Sequence, residues 1–294
     1  MKAKTVKGNW RMKKLGLPSV FLLCIFFFLS GFFASNFFSQ FQEPEYDRRL
    51  TPRPRARLLE KSTEYDHLSK TGDSGDNYVT LIPFQVLSWY PRALYFPNFA
   101  SADQCESIIE MARGRLMPST LALRKGETKE TTEGIRTSYG VFISASEDET
   151  GVLDTIEEKI AKATKIPRNH GEAFNILRYQ VGQKYDSHYD AFDYTEYVPQ
   201  KSQRVASFLL YLTDVPEGGE TVFPFENGFN MDGSFDFKDC IGLKVRPRMG
   251  DGLLFYSLLP NGTIDPTSLH GSCSVVQGEK WVATKWIRDQ EQND

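Results

Sequence analysis

The sequence predicts an α+β fold with N-terminal helices flanking a double-stranded β-helix (jelly-roll) core, all preceded by one transmembrane helix. Three observations predict this. The chain carries no charge from Leu15 to Gln42. Residues 101–165 place apolar side chains at helical spacing, and after Ala173 short apolar runs alternate with Gly- and Pro-containing turns. Helices followed by many short strands are typical of helices packed against a double antiparallel sheet.

The N-terminal segment predicts a transmembrane signal anchor at residues 15–39 behind a basic cytosolic tail, residues 1–14. Six Lys and Arg and no acid occupy the tail, and eight of the 22 phenylalanines lie in the apolar run. At 1.5 Å per residue the run crosses a ~30 Å hydrocarbon core, and it is longer than the core of a cleaved signal peptide. The flanking charges favour a single-pass type II protein with a lumenal body, in the endoplasmic reticulum or the Golgi.

Residues 40–82 have the charged, Pro- and Gly-containing composition of a lumenal stem, and residues 83–290 form one folded domain. Without its basic tail the chain is net negative, which argues against a nucleic-acid partner.

Two helices and five strands are predicted in the domain. The first helix starts at Ser101 in a capping-box sequence, and its buried stripe is Cys105, Ile108, Ile109 and Ala112. The second extends from about Asp148 to Lys165, with a stripe at Val152, Ile156, Ile160 and Ala163. The strands are Phe174–Tyr179, Val205–Leu212, Leu243–Val245, Gly252–Tyr256 and Lys280–Ile287.

Cysteine usage and a sequon agree with a lumenal body. Cys105, Cys240 and Cys273 permit at most one internal disulfide, and the sequence does not choose the pair. Asn261 begins an Asn-Gly-Thr sequon and is a candidate glycosylation site, although Asn-Gly is equally a common turn.

The four histidines of the chain include one informative pair, His188 and His270. His188-Tyr-Asp190 spaces an imidazole and a carboxylate by two residues, which on a strand puts both on one face. With His270 as a third ligand, these groups predict the facial triad of non-haem Fe(II) oxygenases, which leaves coordination positions open for other molecules.

Lys280 adds a second element to this predicted site. It begins a strand on which Lys280, Val282, Thr284 and Trp286 alternate toward the interior. A buried lysine is costly unless it meets an anion, and a dicarboxylate that chelates the metal at one end would supply that anion. The alternative is that Lys280 is a solvated lysine at the edge of the sheet and binds no ligand.

Several blocks with fixed spacing resemble the Fe(II)/2-oxoglutarate-dependent prolyl 4-hydroxylases, in particular the short, membrane-anchored plant type. The resemblance covers about Val86 to Ile287, and the blocks occur in the family's order. They are His188-x-Asp190, Gly218-Gly-Glu-Thr-Val-Phe-Pro224, Arg246-Pro-Arg-Met-Gly-Asp-Gly252, Asp265-Pro-Thr-Ser-Leu-His270 and Lys280-Trp-x-Ala-Thr-Lys-Trp286.

The resemblance implies a role for each site residue. His188, Asp190 and His270 would bind Fe(II), and Lys280 would bind the distal carboxylate of 2-oxoglutarate, assisted by Tyr179 and Thr221. The substrate site would be lined by Tyr185, Arg204 and Trp286. No catalytic residue is expected beyond the iron centre, whose residues lie within about 170–288.

The resemblance also implies a reaction. Peptidyl-proline would be converted to 4-hydroxyproline as O2 and 2-oxoglutarate give succinate and CO2, with ascorbate as reductant. The expected substrates are proline-rich secretory or cell-wall proteins in polyproline-II conformation, and self-association or association with related hydroxylases stays open. Gly271-Ser-Cys-Ser274 departs from the family's usual Gly-Gly-Cys-Pro, and Tyr256 stands where Trp is common, which puts substrate preference in doubt more than catalysis.

Three alternatives remain. A related hydroxylase could act on another side chain, such as lysine. A type II Golgi glycosyltransferase would share the anchor and stem, but the chain has no Asp-x-Asp pair to hold the metal of a nucleotide sugar. A non-enzymatic jelly-roll binding protein would not need an inward lysine at position 280.

Overall fold

The structure is a computed structural model that describes residues 81–292. The predicted tail and anchor, and nearly all of the predicted stem, lie outside the described residues and stay predictions. Among residues 81–292 no helix is long and apolar enough to cross a membrane.

The described chain forms two α-helices and fourteen strands, joined by short 3-10 turns. The helices are α1 (Ala102–Arg113) and α2 (Val152–Thr164). The strands are β1 (Gln85–Trp89), β2 (Arg92–Phe96), β3 (Met117–Pro118), β4 (Tyr139–Ile143), β5 (Phe174–Tyr179), β6 (Tyr185–His188), β7 (Arg204–Tyr211), β8 (Glu217–Gly218), β9 (Thr221–Phe223), β10 (Leu243–Val245), β11 (Gly252–Tyr256), β12 (His270–Ser272), β13 (Val275–Gln277) and β14 (Lys280–Arg288).

Two antiparallel sheets make the core of the domain. The larger has eight strands in the order β1-β2-β11-β7-β14-β5-β4-β3, and the smaller has four in the order β10-β9-β12-β6. A two-stranded ribbon, β13-β8, lies apart from both. This arrangement bears out the prediction of a sheet-rich core, but the predicted order of helices first and strands later is wrong, because β1 and β2 precede α1 and β3 and β4 lie between the two helices.

The larger sheet separates two apolar clusters, and strand β7 contributes to both. Phe208 and Leu210 belong to the cluster shared with the helices, whereas Leu209 and Tyr211 belong to the cluster shared with the smaller sheet. This explains why the sequence of β7 is apolar almost throughout, since both faces of the strand are buried.

The first helix follows its sequence prediction closely. Ser101 is the N-cap, and the reciprocal capping box with Gln104 is present. All four residues of the predicted stripe are buried.

The second helix starts at Val152, four residues later than predicted. Gly151 precedes it with φ of +71°, and the carboxylate of Asp148 accepts from the backbone N–H groups of Thr150 and Leu153. Asp148 therefore binds the helix start from outside the helix. Leu153, rather than Val152, joins the buried stripe.

The strand predictions succeed where turn residues bound an apolar run. The bounds of β5, β10 and β11 match, β7 is shifted by one residue toward the N-terminus at both ends, and β14 extends one residue beyond its predicted end. The short strands β1 to β4, β6, β8, β9, β12 and β13 were not predicted as separate strands, because their side chains lack a sustained alternation.

A disulfide joins Cys240 to Cys273, and Cys105 is a buried free thiol on α1. The bridge ties the loop between β9 and β10 to the end of β12. The same loop is also bonded to β6, because the carbonyl of Phe237 accepts from the Ser187 N–H over 2.9 Å. The loop is therefore attached to both strands that carry the candidate histidine ligands.

Candidate metal centre

The structure brings the three predicted metal ligands together. The ligand atoms of His188, Asp190 and His270 all lie within 4.8 Å of one another. His188 on β6 pairs in register with His270 on β12. Each histidine Nε2 lies 3.6 Å from a different carboxylate oxygen of Asp190.

Asp190 reaches this position by a route that differs from the prediction of two ligands on one strand. Strand β6 ends at His188, so Asp190 lies beyond it. The Ser207 hydroxyl on β7 donates to Asp190 Oδ2 over 2.5 Å. The chain after His188 thus leaves the smaller sheet for the larger one, which ends the strand pairing.

Both histidine rings are oriented by main-chain carbonyls two residues earlier. His188 Nδ1 lies 2.9 Å from the Asp186 carbonyl oxygen, and His270 Nδ1 lies 3.0 Å from that of Ser268. A carbonyl can only accept, so each Nδ1 carries the proton and each Nε2 offers its lone pair. The two rings are therefore held in the tautomer that binds a metal.

The charge states of the site agree with metal binding. Burial lowers the pKa of His270 to about 4, which keeps its imidazole neutral. Burial opposes ionisation of Asp190, but the neighbouring His270 and His188 outweigh it and hold the pKa of that carboxyl far below its usual range. Two neutral imidazoles and one carboxylate are the donors that Fe(II) takes in a facial triad.

Lys280 lies behind the triad and is 1% exposed. Its ammonium donates to Ser272 Oγ over 2.8 Å and lies 5.3 Å from the centre of the Tyr179 ring. No carboxylate of the described residues lies within ion-pair distance of it, and burial lowers its pKa to about 7. A buried cation without an anion fits a site that receives a carboxylate from a ligand.

The predicted co-substrate residues surround this lysine. Tyr179 pairs with Lys280 across strands β5 and β14, and both residues line a small cavity with Thr221 and His270. The Tyr211 hydroxyl donates to Thr221 Oγ1 over 2.8 Å.

The predicted substrate residues line a separate groove of about 960 Å³. The Tyr185 ring stacks on the His188 ring with centroids 3.7 Å apart. The Arg204 guanidinium lies 3.6 Å over the Trp286 ring. Because these three residues border the groove and the triad, the structure places the predicted residues at one site.

Sequence reasoning missed several residues that contact the predicted ones. They are Ser207 beside Asp190, Ser272 beside Lys280, Arg136 over the Tyr185 ring, and Glu172 beside Arg204. The departure from the family pattern at Ser272 thus lies beside Lys280 in the small cavity and not in the large groove. Spacing could not reveal these residues, because each contacts a partner distant in the chain.

Asn261 lies in an exposed turn, where its side-chain oxygen accepts from the Thr263 N–H and hydroxyl. The asparagine is open to modification, and glycosylation stays a prediction. The Arg92 guanidinium lies over the Tyr256 ring, with its central carbon 4.3 Å from the ring centre.

The residues present fit Fe(II) and 2-oxoglutarate. The triad offers two neutral nitrogens and one carboxylate, and the unmatched ammonium of Lys280 offers the charge that the distal carboxylate of the co-substrate needs. The fold and this donor set define an Fe(II)- and 2-oxoglutarate-dependent dioxygenase.

Comparisons with known proteins agree. The model of the 2OG-Fe(II) oxygenase superfamily matches residues 174–288. Probable prolyl 4-hydroxylase 9 of Arabidopsis thaliana is 63% identical over 287 residues, covering 97% of this chain and 98% of its own length. Prolyl 4-hydroxylase 13 of the same plant is 56% identical over 289 residues, covering 97% and 99%.

A solved structure is also similar, that of a viral collagen prolyl hydroxylase from Paramecium Bursaria Chlorella virus-1 in complex with 2OG. It is 27% identical and covers 67% of this chain and 95% of the viral chain, with a TM-score of 0.49. On the evidence of its plant relatives, the chain belongs to the prolyl 4-hydroxylase family of the 2OG-Fe(II) oxygenase superfamily. This membership excludes the glycosyltransferase and non-enzymatic alternatives.

Proposed function

We propose that this chain hydroxylates proline residues of proline-rich secretory or cell-wall proteins at C4. The reaction would consume O2 and 2-oxoglutarate and release succinate and CO2, with ascorbate as reductant. His188, Asp190 and His270 would hold Fe(II), while Lys280, with Tyr179 and Thr221, would hold 2-oxoglutarate.

The observation that carries the proposal is the meeting of two cavities at the triad. The small cavity ends on Lys280, and the large groove opens to the surface. Both are bordered by Arg136, Tyr185, His188, Asp190 and Trp286. A co-substrate in the small cavity and a peptide in the groove would therefore reach the same metal from two sides.

Bound iron with 2-oxoglutarate supplies the oxidising chemistry. The chain's own residues hold and orient the reactants. Lys280 balances the charge of the distal carboxylate, and the main-chain carbonyls of Asp186 and Ser268 keep Nε2 of each histidine free for the metal. Tyr185, stacked on His188, covers the ligand ring on the groove side and excludes water from it.

The groove suits an extended proline-rich peptide. Proline has no backbone N–H, so such a peptide offers chiefly carbonyl acceptors and apolar rings. The groove lining provides aromatic rings for the apolar surface and N–H donors for the carbonyls. These residues include Phe142, Tyr185, Tyr197, Trp286, Arg136 and Arg204.

The proposal includes a type II membrane anchor with the catalytic domain in the lumen of the endoplasmic reticulum or Golgi. The charge-free run behind a basic tail supports it. The Cys240–Cys273 disulfide supports an oxidising compartment. Treatment of intact microsomes with protease would test it, since a lumenal domain is cleaved only after the membrane is permeabilised.

Mass spectrometry of peptides incubated with the full-length enzyme, Fe(II), ascorbate and 2-oxoglutarate tests the substrate. We expect a gain of one oxygen on proline in a proline-rich peptide. Oxygen on lysine in place of proline would contradict the substrate assignment and leave the co-substrate chemistry intact.

A further inference from the structure

A partly buried ion cluster stands beside the peptide groove, which Lys280 does not line. Arg204, the first residue of β7, pairs in register with Arg288, the last residue of β14. Like charges directly opposite on neighbouring strands repel each other. The Glu172 carboxylate lies between them and offsets this repulsion.

Glu172 binds the two arginines in different ways. Its two oxygens accept from Arg204 Nε and Nη2 over 2.7 and 2.8 Å, which is a bidentate pair. One of the same oxygens accepts from Arg288 Nε over 2.5 Å. Burial opposes ionisation of Glu172, but the hydrogen bonds and charges of Arg204 and Arg288 together outweigh it and lower the pKa of this carboxyl.

The bidentate pair fixes the plane of the Arg204 guanidinium. One edge of the fork is held by Glu172, and the face of the guanidinium lies on the Trp286 ring at 3.6 Å. The remaining nitrogen, Nη1, has no hydrogen bond to the described residues. Glu172 and Trp286 thus restrain one edge and one face of the Arg204 guanidinium. Nη1 remains able to donate a hydrogen bond to a ligand in the groove.

Trp286 forms part of the wall of both cavities. Its indole Nε1 is buried and finds no hydrogen-bond partner within residues 81–292. The contact that Trp286 offers to a peptide is therefore the apolar surface of its ring, which suits the proline rings of a proline-rich chain.

The cluster also holds the chain that precedes β7. Arg288 Nη1 donates to the Ser202 carbonyl over 2.7 Å. The Glu172 N–H donates to the Trp286 carbonyl over 2.9 Å. Backbone and side-chain bonds therefore join Glu172, Trp286 and Arg288 at the groove wall.

We infer that Glu172 is a positioning residue that clamps Arg204 against Trp286 and thereby sets the affinity of the groove for the peptide. Arg288 is the second cation of the clamp. This inference rests on the proposed function, because it takes the groove to be the peptide site. Glu172 contacts neither the metal ligands nor Lys280, and Arg204 lines only the large groove, so the effect of Glu172 should fall mainly on the peptide.

Steady-state kinetics of the full-length Glu172→Gln enzyme test the inference. We expect the KM for a proline-rich peptide to rise about tenfold, equivalent to about 1.4 kcal/mol. We expect kcat, the KM for 2-oxoglutarate and the slow peptide-independent turnover of 2-oxoglutarate to stay within about twofold. Glu172→Asp keeps the charge on a shorter stem and should recover part of the peptide affinity.

The exposed Arg115–Glu147 pair provides a matched control, because Arg115 also lines the groove. Glu147→Gln should leave the peptide KM unchanged. If Glu172→Gln does not fold, Glu172→Gln with Arg288→Gln removes the opposed like charges. That double variant should fold and still show the raised peptide KM, because Arg204 has lost its bidentate partner.

A peptide KM within twofold of wild type in the folded variant, or an equal rise in the KM for 2-oxoglutarate, would overturn the inference. The proposed function fails separately, if the wild-type enzyme hydroxylates a peptide residue other than proline. The same KM comparison on that peptide would still decide the role of Glu172.

Discussion

Two cations mark the two ends of the site, the buried Lys280 and the partly buried Arg204, and they differ in what balances their charge. Lys280 at the closed end has a hydroxyl beside it and no carboxylate from the described residues. Arg204 at the open end is held by both oxygens of Glu172. A buried cation with no carboxylate partner in the protein indicates a place for a charged ligand. A cation that is paired with a carboxylate of the protein holds neighbouring groups in position.

The metal triad lies between the two ends, so its loss should have the largest effect. His270→Ala removes one of the three metal ligands, and we expect product formation to fall at least about a thousandfold, a large but ordinary loss for a metal enzyme. Bound iron, measured by elemental analysis, should fall with it. His67→Ala, which removes a histidine from the predicted stem, should change neither quantity, and retained turnover without His270 would contradict the site.

Lys280→Met removes the ammonium group at the closed end of the site. We expect the KM for 2-oxoglutarate to rise about a hundredfold, because the distal carboxylate loses its charged partner. In the absence of 2-oxoglutarate the variant should be at least as stable as wild type, since an unmatched buried cation has been replaced by an apolar group.

Thermal denaturation with and without 2-oxoglutarate checks this prediction. The wild-type Tm should rise on addition of the co-substrate and the variant's should not. A variant that is strongly destabilised without co-substrate would show that Lys280 is matched within the protein after all.

Uptake of a proton on binding of 2-oxoglutarate provides a further test of the role of Lys280. Burial lowers the pKa of Lys280 to about 7, with Tyr179 and Tyr211 beside it, and the charge of Glu220 offsets part of this effect by raising the pKa. At pH 8 most of the free enzyme therefore carries a neutral Lys280, and binding the co-substrate dianion should draw in up to about one proton. Affinity should consequently fall as the pH rises above 7.

Calorimetry in two buffers of different ionisation enthalpy measures this uptake. Lys280→Arg is the control, because arginine stays charged at this pH and should bind 2-oxoglutarate without taking up a proton. Equal heats in both buffers for the wild-type enzyme would show that Lys280 is already charged before binding.

Ser272→Ala should have the smallest effect. It removes the one hydrogen bond that Lys280 Nζ makes to the described residues. We expect the KM for 2-oxoglutarate to change by about two- to fivefold, which corresponds to an ordinary hydrogen bond, because the carboxylate of the co-substrate remains as the charged partner of Lys280. The peptide KM, measured in parallel, should not change, and a change confined to the peptide would place Ser272 with the groove instead.

Much of this site could be predicted from the sequence because its ligands are rare residue types at fixed spacing. His188, Asp190, His270 and Lys280 were identified from four histidines and one inward lysine, and β14 presents Lys280 to the small cavity as its alternation predicted. The bounds of β5, β10 and β11 followed from apolar runs that end at turn residues.

The rest depended on contacts between distant parts of the chain. Asp190 lies beyond the end of β6 and accepts a hydrogen bond from Ser207 on β7, which no local pattern indicates. The choice of Cys240 with Cys273 needs the loop geometry. The role of Glu172 could not be predicted, because nothing in the sequence around it indicates that Arg204 and Arg288 lie opposite each other on two neighbouring strands and that both bind its carboxylate.

The ratio of succinate released to 4-hydroxyproline formed, measured together on a proline-rich peptide with the full-length enzyme, tests the central claim most directly. The two-cavity site predicts one succinate for each 4-hydroxyproline in the wild-type enzyme, and neither product above background in His270→Ala. Succinate without 4-hydroxyproline for every proline-rich peptide, or 4-hydroxyproline formed without 2-oxoglutarate, would contradict it.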